Sequence, residues 1–381
     1  MNRRDVLGAL GLGALSPALS ACGKVFRIPL ADMTRVGGEV DQGAENVWRE
    51  AAAYARWCPS PHNVQPWLLR VVSSTEAELY YDPRRLLPKT DPTSCFVVAG
   101  LAMFVEYLSV AMRPSGYAIE ATYVLQPLDP SATGPVLFAH LRRKPATETE
   151  DFDRRLILLR KTSRLPYDGR PVDDQDFQRL IPFARELGND VQWSSQRSFV
   201  DWTLDLNRRT LFSDLDDPVT RGELRRWIRC TKDEAAAAKD GLWSHCMRFP
   251  GWLFRSFFDQ HEKYVSGVRR GLSERLLMRG LAGTRSVVWW SGPFDGLEDW
   301  IRAGTVLART WLELTRQGLS FHPFGSIITN PGAYALLKER LGLQGSTDRV
   351  WLIARVGRSD VPPRSYRLET PDIFIREREA V

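Results

Sequence analysis

The sequence predicts an α+β fold whose pattern of elements begins twice. Short β-prone runs alternate with two long helical patterns, one apolar throughout and one amphipathic. The chain has 381 residues, 43% apolar and 26% charged, enough for one large core or two ordinary ones. Near residue 148 the order of elements restarts.

Taken in order, residues 22–43 read as a tether or arm, because Lys24 to Gln42 carries Pro and Gly with little periodicity. Residues 44–58 predict a helix with Val47, Ala51, Tyr54, Ala55 and Cys58 on one stripe. Trp67–Val72 and Ala77–Tyr81 predict a strand pair around Ser73-Ser74, and Asp82-Pro83-Arg84-Arg85 a turn. Phe96 to Met112 predicts a buried helix about 25 Å long at ~1.5 Å per residue. Its Glu106 argues against a membrane span. Ile119–Leu125 and Pro135–Leu141 read as strands, and Asp151–Arg160 and Asp173–Leu187 as helices. Val191–Trp193 and Val287–Trp290 read as short strands. Trp300 to Gln317 is an amphipathic helix ended by Gly318, and Val350–Val356 is a strand.

Between the first helix and the first strand lies Trp57-Cys-Pro-Ser-Pro-His-Asn-Val-Gln-Pro-Trp67. Each proline fixes its own φ, removes a donor and extends its neighbour, so the loop is stiff. Ser60, Asn63 and Gln65 are thereby held at set spacings, suited to gripping a polar ligand. A helix-ending turn would use the same residue types. The run Pro59-Ser60-x-x-Asn63-x-Gln65-Pro66-Trp67 resembles the PS-x-x-N-x-QPW signature of the nitroreductase superfamily, whose loop touches FMN across a dimer interface. The resemblance implies a nitroreductase-like fold.

In the second half, Arg160-Lys161-Thr162-Ser163-Arg164 resembles the R-x-S/T-x-R segment with which such domains begin. There the arginines and hydroxyl hold the FMN phosphate. Guanidinium forks suit phosphate bidentately; basic residues also collect at helix C-termini because of the dipole. Ala303-Gly304 and Gly318-Leu319 resemble the family's late helix. In Phe321-His322-Pro323-Phe324-Gly325, Gly325 falls where family members bring a backbone loop to the isoalloxazine ring. Arg358 is the candidate for a late basic residue sent back to the phosphate. The first half has the Asn/Gln loop and no R-x-S/T-x-R start. The second has Arg160, Thr162 and Arg164, and only a degenerate Gly188-Asn-Asp-Val-Gln-Trp193 where the other loop would be. The resemblance therefore implies two fused halves, 44–147 and 148–381, forming a single-chain pseudo-dimer with one site. With Trp227-Ile-Arg-x-x-Lys232, Lys239-Asp-Gly-Leu242 and Arg355-Val-Gly-Arg358…Pro362-Pro363-x-Ser365…Arg367, it points to the Acg branch of FMN-binding proteins. Residues 230–283, rich in aromatics, read as a lid or as helices packed on the core. They hold His245 and His261, acid–base candidates that nothing in the sequence places near a ring.

The first 21 residues read as a targeting segment. Arg3-Arg4 precedes an apolar stretch, Val6 to Leu19, of secretory length. Asn2-Arg3-Arg4-Asp5-Val6-Leu7 resembles a twin-arginine signal, and Leu19-Ser20-Ala21-Cys22 a lipobox with Cys22 as the lipidated residue. The twin-arginine route exports folded proteins, which suits a flavin loaded in the cytoplasm. The expected location is periplasmic, anchored at a membrane through Cys22. Cys58, Cys95, Cys230 and Cys246 form no C-x-x-C pair and match no metal spacing, so they read as small hydrophobes; Cys58, inside the loop, is the one that matters most. Net charge is +6, but the positive residues are scattered and no nucleic-acid motif occurs, so nucleic acid is excluded as a partner.

These readings lead to an FMN-dependent oxidoreductase with the chemistry on the flavin and no catalytic side chain required. Its acceptor would be a small molecule. Because periplasm is not expected to hold NAD(P)H, the donor would be a quinol or a protein. The alternatives are a protein that binds or sequesters flavin without turnover, and a flavin-free structural lipoprotein with a decayed site.

Overall fold

The computed structural model describes residues 44–146 and 152–375. The signal segment, the tether, Cys22 and Asp151 lie outside the described residues.

The fold is α+β, built twice from one plan. In the first half, α1 (Ala44–Ala55) is followed by β1 (Trp67–Val71) and β2 (Glu76–Tyr81), then α2 (Cys95–Met112), β3 (Tyr117–Tyr123) and β4 (Val136–Pro145). After α3 (Arg155–Leu159), the second half runs β5 (Asp190–Ser194), α4 (Arg197–Asp216), β6 (Ile228–Arg229), β7 (Leu242–Trp243), α5 (Gly251–Asp259) and α6 (Gly267–Leu281). It closes with β8 (Ser286–Gly292), α7 (Leu297–Arg316), β9 (Ser320–Pro323) and β10 (Arg349–Gly357). The two four-stranded sheets are ordered β1-β2-β4-β3 and β5-β8-β10-β9, every pair antiparallel. Strand, strand, helix, strand, strand therefore recurs with the same neighbours.

The central helices α2 and α7 pack on each other. Leu101, Phe104 and Leu108 of α2 and Val306, Trp311 and Leu312 of α7 belong to one core shared by both halves. Helix α2 is apolar on every face because it is buried on every face from Val97 to Met112. By length and composition it could cross a membrane, yet 83% of that window is buried inside the protein. Glu106 is tolerated there because Arg309 of α7 donates to it at 3.0 Å. Asp91 starts α2 by accepting the Phe96 and Val97 N–H groups at 3.0 Å each. On α7 the buried positions Ile301, Gly304, Ala308 and Trp311 recur at helical spacing, and Gly318 (φ 71°) ends the helix.

Several elements differ from expectation. The first helix stops at Ala55, leaving Cys58 in the loop. The helix expected over 173–187 is two pieces, Asp174–Gln178 and Ile181–Arg185, because Pro182 denies the second turn of a continuous helix its N–H. The C-terminal segment does not stay with the second half. Phe374 bridges to Leu69 of β1, and the Ile375 N–H donates to the Leu69 carbonyl at 2.8 Å.

Candidate functional site

A cavity of about 590 Å³ lies between the halves. Its wall takes Pro59–Asn63 from the first half, Arg160, Lys161, Thr162, Arg164 and His322–Ser326 from the second, and Pro363, Arg364, Ser365 and Arg367 near the C-terminus. Helices α4, α5 and α6 supply an apolar side through Leu211, Phe212, Phe254, Phe257, Leu276 and Leu277. Part of the 230–283 block thus lines the cavity.

The stiff loop is also strained. His62, Asn63 and Gln65 all sit at positive φ (47°, 59° and 53°), a region non-glycine residues enter at a cost of about 1 kcal/mol or more each. Side-chain bonds hold them there. Ser60 Oγ accepts the Gln65 N–H at 2.9 Å. The Asn63 amide donates to the carbonyls of Gly241 (3.1 Å) and Tyr366 (3.2 Å). Gln65, wholly buried, donates to the Lys239 carbonyl at 2.9 Å and accepts the Leu368 N–H at 2.9 Å. Asn63 and Gln65 therefore clasp the C-terminal segment onto the loop. Asn63 still lines the cavity with an unpartnered Oδ1, whereas Gln65 lies behind the wall. Trp67 stacks on Phe104 of α2, ring centroids 4.8 Å apart. The Cys58 thiol is buried against the Gly100 carbonyl, and burial pushes its pKa up, away from thiolate chemistry.

Trp57 collects arginines. Arg364 lies over its ring at 3.5 Å and Arg56 at 4.9 Å, while its carbonyl accepts from Arg160 Nη2 at 2.9 Å. Arg160 itself lies over Trp311 at 4.5 Å. No carboxylate pairs with Arg160, Arg364 or Arg367 among the described residues. Arg160 Nε and Nη1, Arg364 Nη2 and Arg367 Nε are buried without a hydrogen-bond partner. Desolvation, then the charge of Arg160, brings the Arg367 pKa down to about 9. Desolvation, then Arg367, Arg160 and Arg56, holds Arg364 far below its ordinary range. Unpaired cations gathered out of water are chemically suited to an anion.

Of the residues singled out from sequence, Ser60, Asn63, Arg160, Thr162, Arg164 and Gly325 all line this cavity. Arg358 does not: it is partly exposed, and Asp176 lies 3.7 Å from its guanidinium. The late basic residues that reach the site are Arg364 and Arg367. They sit in an aperiodic proline-bearing tail, where only the density of basic residues signals them. His261 is buried against Asp216 at 2.9 Å and His245 packs on Trp243, neither on the cavity wall. The imidazoles that line it are His62 and His322. Burial lowers the His62 pKa to about 4, so both its ring and its unpartnered Nδ1 are neutral at pH 7. No group of three or more metal-ligating side chains occurs among the described residues.

No family model matches the chain. It is 25% identical over 323 residues to the probable NAD(P)H nitroreductase PigM of Serratia sp. (strain ATCC 39006), covering 80% of this chain and 87% of that one. Among solved structures, the FMN and NADPH-dependent nitroreductase NfnB from sphigopyxis sp. strain HMH aligns with TM-score 0.36 and 13% identity, over 58% of this chain and 97% of its own. The nitroreductase with bound FMN from Bacteroides fragilis NCTC 9343 aligns with TM-score 0.34 and 11% identity, over the same shares. The sequence kinship spans 80% of the chain and so reaches into both halves; over that span the chain is similar to the Serratia protein.

Proposed function

We propose that this chain is an FMN-dependent oxidoreductase with one cofactor site, formed where its two halves meet. The observation that carries the reading is the cluster of unpaired arginines on the wall of a cavity whose other lining is rich in apolar side chains. A phosphate monoester is the dianion that Arg160, Arg364 and Arg367 fit, since each has an unpartnered buried nitrogen to donate and none is paired with a carboxylate among the described residues. The cavity falls in the size range of sites that enclose a cofactor or drug-sized ligand. Bound FMN would supply the electron transfer itself. The chain's residues do the rest. The arginines hold and orient the phosphate, Ser60 keeps the loop in register, and the α4–α6 wall keeps water from the apolar end. The acceptor would be a small molecule, and the PigM kinship is consistent with a nitro or related group.

The Acg-type branch, export by the twin-arginine route, lipidation of Cys22 and a periplasmic membrane-anchored location belong to the same proposal and rest on the N-terminal sequence. They favour a quinol or protein donor over NAD(P)H. Mass spectrometry of the N-terminal peptide would find acyl chains on Cys22, and unmodified Cys22 would remove the anchor.

The test of the cofactor reading is an absorbance spectrum of the full-length protein with FMN added, beside Arg160→Ala and Arg364→Ala. Each truncation should weaken FMN binding roughly 10- to 100-fold, the worth of a charge-assisted bond. A wild type that takes up no FMN would end the proposal. Bound flavin that no donor reduces would leave the non-catalytic, flavin-holding role instead.

A further inference from the structure

His322 and Arg355 face each other across the β9–β10 pairing. Arg355 is wholly buried, and nearly every donor it has is already used. Its Nη1 donates to the Gly280 carbonyl at 2.9 Å and to Thr284 Oγ1 at 3.1 Å. Its Nη2 donates to the Ser163 and Leu165 carbonyls at 3.0 Å each. The remaining nitrogen, Nε, donates to His322 Nδ1 at 3.2 Å. The Tyr167 ring lies 4.1 Å from the guanidinium and closes the cage.

A guanidinium can only donate. His322 Nδ1 must therefore accept and carries no proton, which puts the proton of the neutral ring on Nε2. Protonating Nδ1 would set N–H against N–H beside a fixed cation. Accordingly the His322 pKa lies well below its ordinary value, from burial first, then from Arg355 and Arg164. Phe324 packs edge-on to the ring at 5.4 Å and limits its rotation. His322 lines the cavity, and Nε2 has no protein hydrogen-bond partner among the described residues. Here is a donor of fixed tautomer with nothing among the described residues to donate to.

We propose that His322 determines specificity in this cavity: its Nε2–H, fixed by Arg355, reads a neutral acceptor atom on an aromatic ligand, such as a nitro, quinone or ring carbonyl oxygen. The oxygen is carried either by the acceptor substrate or by the flavin ring. This rests on the oxidoreductase reading for the kind of ligand, and on side-chain geometry alone for the donor. With Nδ1 occupied by Arg355, the part of the ring left to the cavity is Nε2, and its role is to orient the ligand. It also favours neutral acceptors over cations, since Arg164 and Arg355 already set a positive field.

The experiment is nitrogen NMR of full-length protein labelled at histidine, with FMN and 1,4-naphthoquinone as probes. In free protein the His322 Nε2 signal should be of the protonated type, and Nδ1 of the unprotonated type, unchanged from about pH 5 to about pH 8. A ring that titrates in that window, or carries its proton on Nδ1, overturns the proposal. An Nε2 shift on adding FMN alone assigns the contact to the flavin. A shift only when naphthoquinone follows FMN assigns it to the substrate. An Nε2 that answers neither probe overturns the proposal. Protein that takes up no FMN while Nε2 still answers naphthoquinone breaks the cofactor reading and leaves the donor standing. In the substrate case, His322→Leu should raise KM for naphthoquinone roughly 10-fold with bound flavin unchanged, and His322→Gln, which keeps an N–H, should recover most of it.

Discussion

The two halves share a strand order and differ in what joins the strands. In the first half β1 and β2 are linked by a tight turn at Ser73–Thr75, closed by hydrogen bonds to Ser73 Oγ. At the matching point of the second half, between β5 and β8, the chain runs from 195 to 285 and builds α4, α5 and α6. The loops before the sheets differ in the opposite sense. The first half keeps the strained Ser60/Asn63/Gln65 loop, and the second keeps Arg160–Arg164. One cavity takes a loop from each, so the two copies of the plan contribute different parts of its wall. The freed position in the second half carries the wall that encloses it. A repeat inside one chain lets its copies specialise in a way that two identical subunits cannot.

The sharpest way to break this comparison is at the helix crossing. A Cβ on Gly304 of α7 would fall on the Ala99 carbonyl oxygen and 2.9 Å from Ala102 Cβ, whereas a Cβ on Gly100 of α2 meets nothing nearer than Pro61 Cδ at 3.7 Å. Gly304→Val should therefore cost about 3 kcal/mol or more, since backbone must move at the interface of both halves. Gly100→Ala should be neutral or gain up to about 1 kcal/mol from helix propensity. Thermal and denaturant melts of the pair measure it. Equal effects would mean the helices do not meet where the structure brings them together.

Next in size is the clasp. Gln65→Leu leaves the partly buried Lys239 carbonyl and Leu368 N–H without partners, a loss of about 1–3 kcal/mol. Because Arg364 and Arg367 ride on the clasped segment, the variant should also bind FMN less tightly and be cut sooner by trypsin near residue 367. Unchanged proteolysis would show that the segment holds by other means.

Arg367 sharpens the comparison by sign. Its folded pKa is about 9, below that of an unfolded arginine, so above that value the unfolded chain binds more protons than the folded one. The charge therefore works against the fold at neutral pH, and that penalty shrinks as pH rises through the folded pKa. Arg367→Met should stabilise the free protein by about 1–2 kcal/mol while abolishing the extra stability that inorganic phosphate confers on the wild type. A destabilised variant would mean the cation is paired within the fold and the anion site is misplaced.

Much of this was legible from residues alone. Helix α2 was readable because nothing else is apolar for so long, and α7 because Gly318 stops it. The loop was readable because its prolines leave few conformations. Arg358 stays off the cavity wall for a physical reason. It follows a strand and meets Asp176, whereas the tail with Arg364 and Arg367 has no periodicity to show which way it turns. That the tail crosses to β1 is a long-range choice, made by the amides of Asn63 and Gln65. The state of His322 was hidden likewise, because only the register of β9 on β10 sets Arg355 beside it. Local pattern shows elements; it does not show which buried donors run out of acceptors.

The smallest effect tests the strained residue between the two loops' chemistries. His62 has a folded pKa of about 4 against an ordinary 6.5, so between those values the unfolded chain takes up a proton that the folded one refuses. Stability is then present in full above pH 6.5 and falls as pH drops toward 4. His62→Asn tolerates the positive φ at this position and has nothing to titrate. Its denaturation midpoint should vary less with pH across that interval than the wild type's, with the two curves parallel above it. Midpoints that fall equally would return the acid sensitivity to other groups, and His62 would be no more than a loop residue with a buried edge.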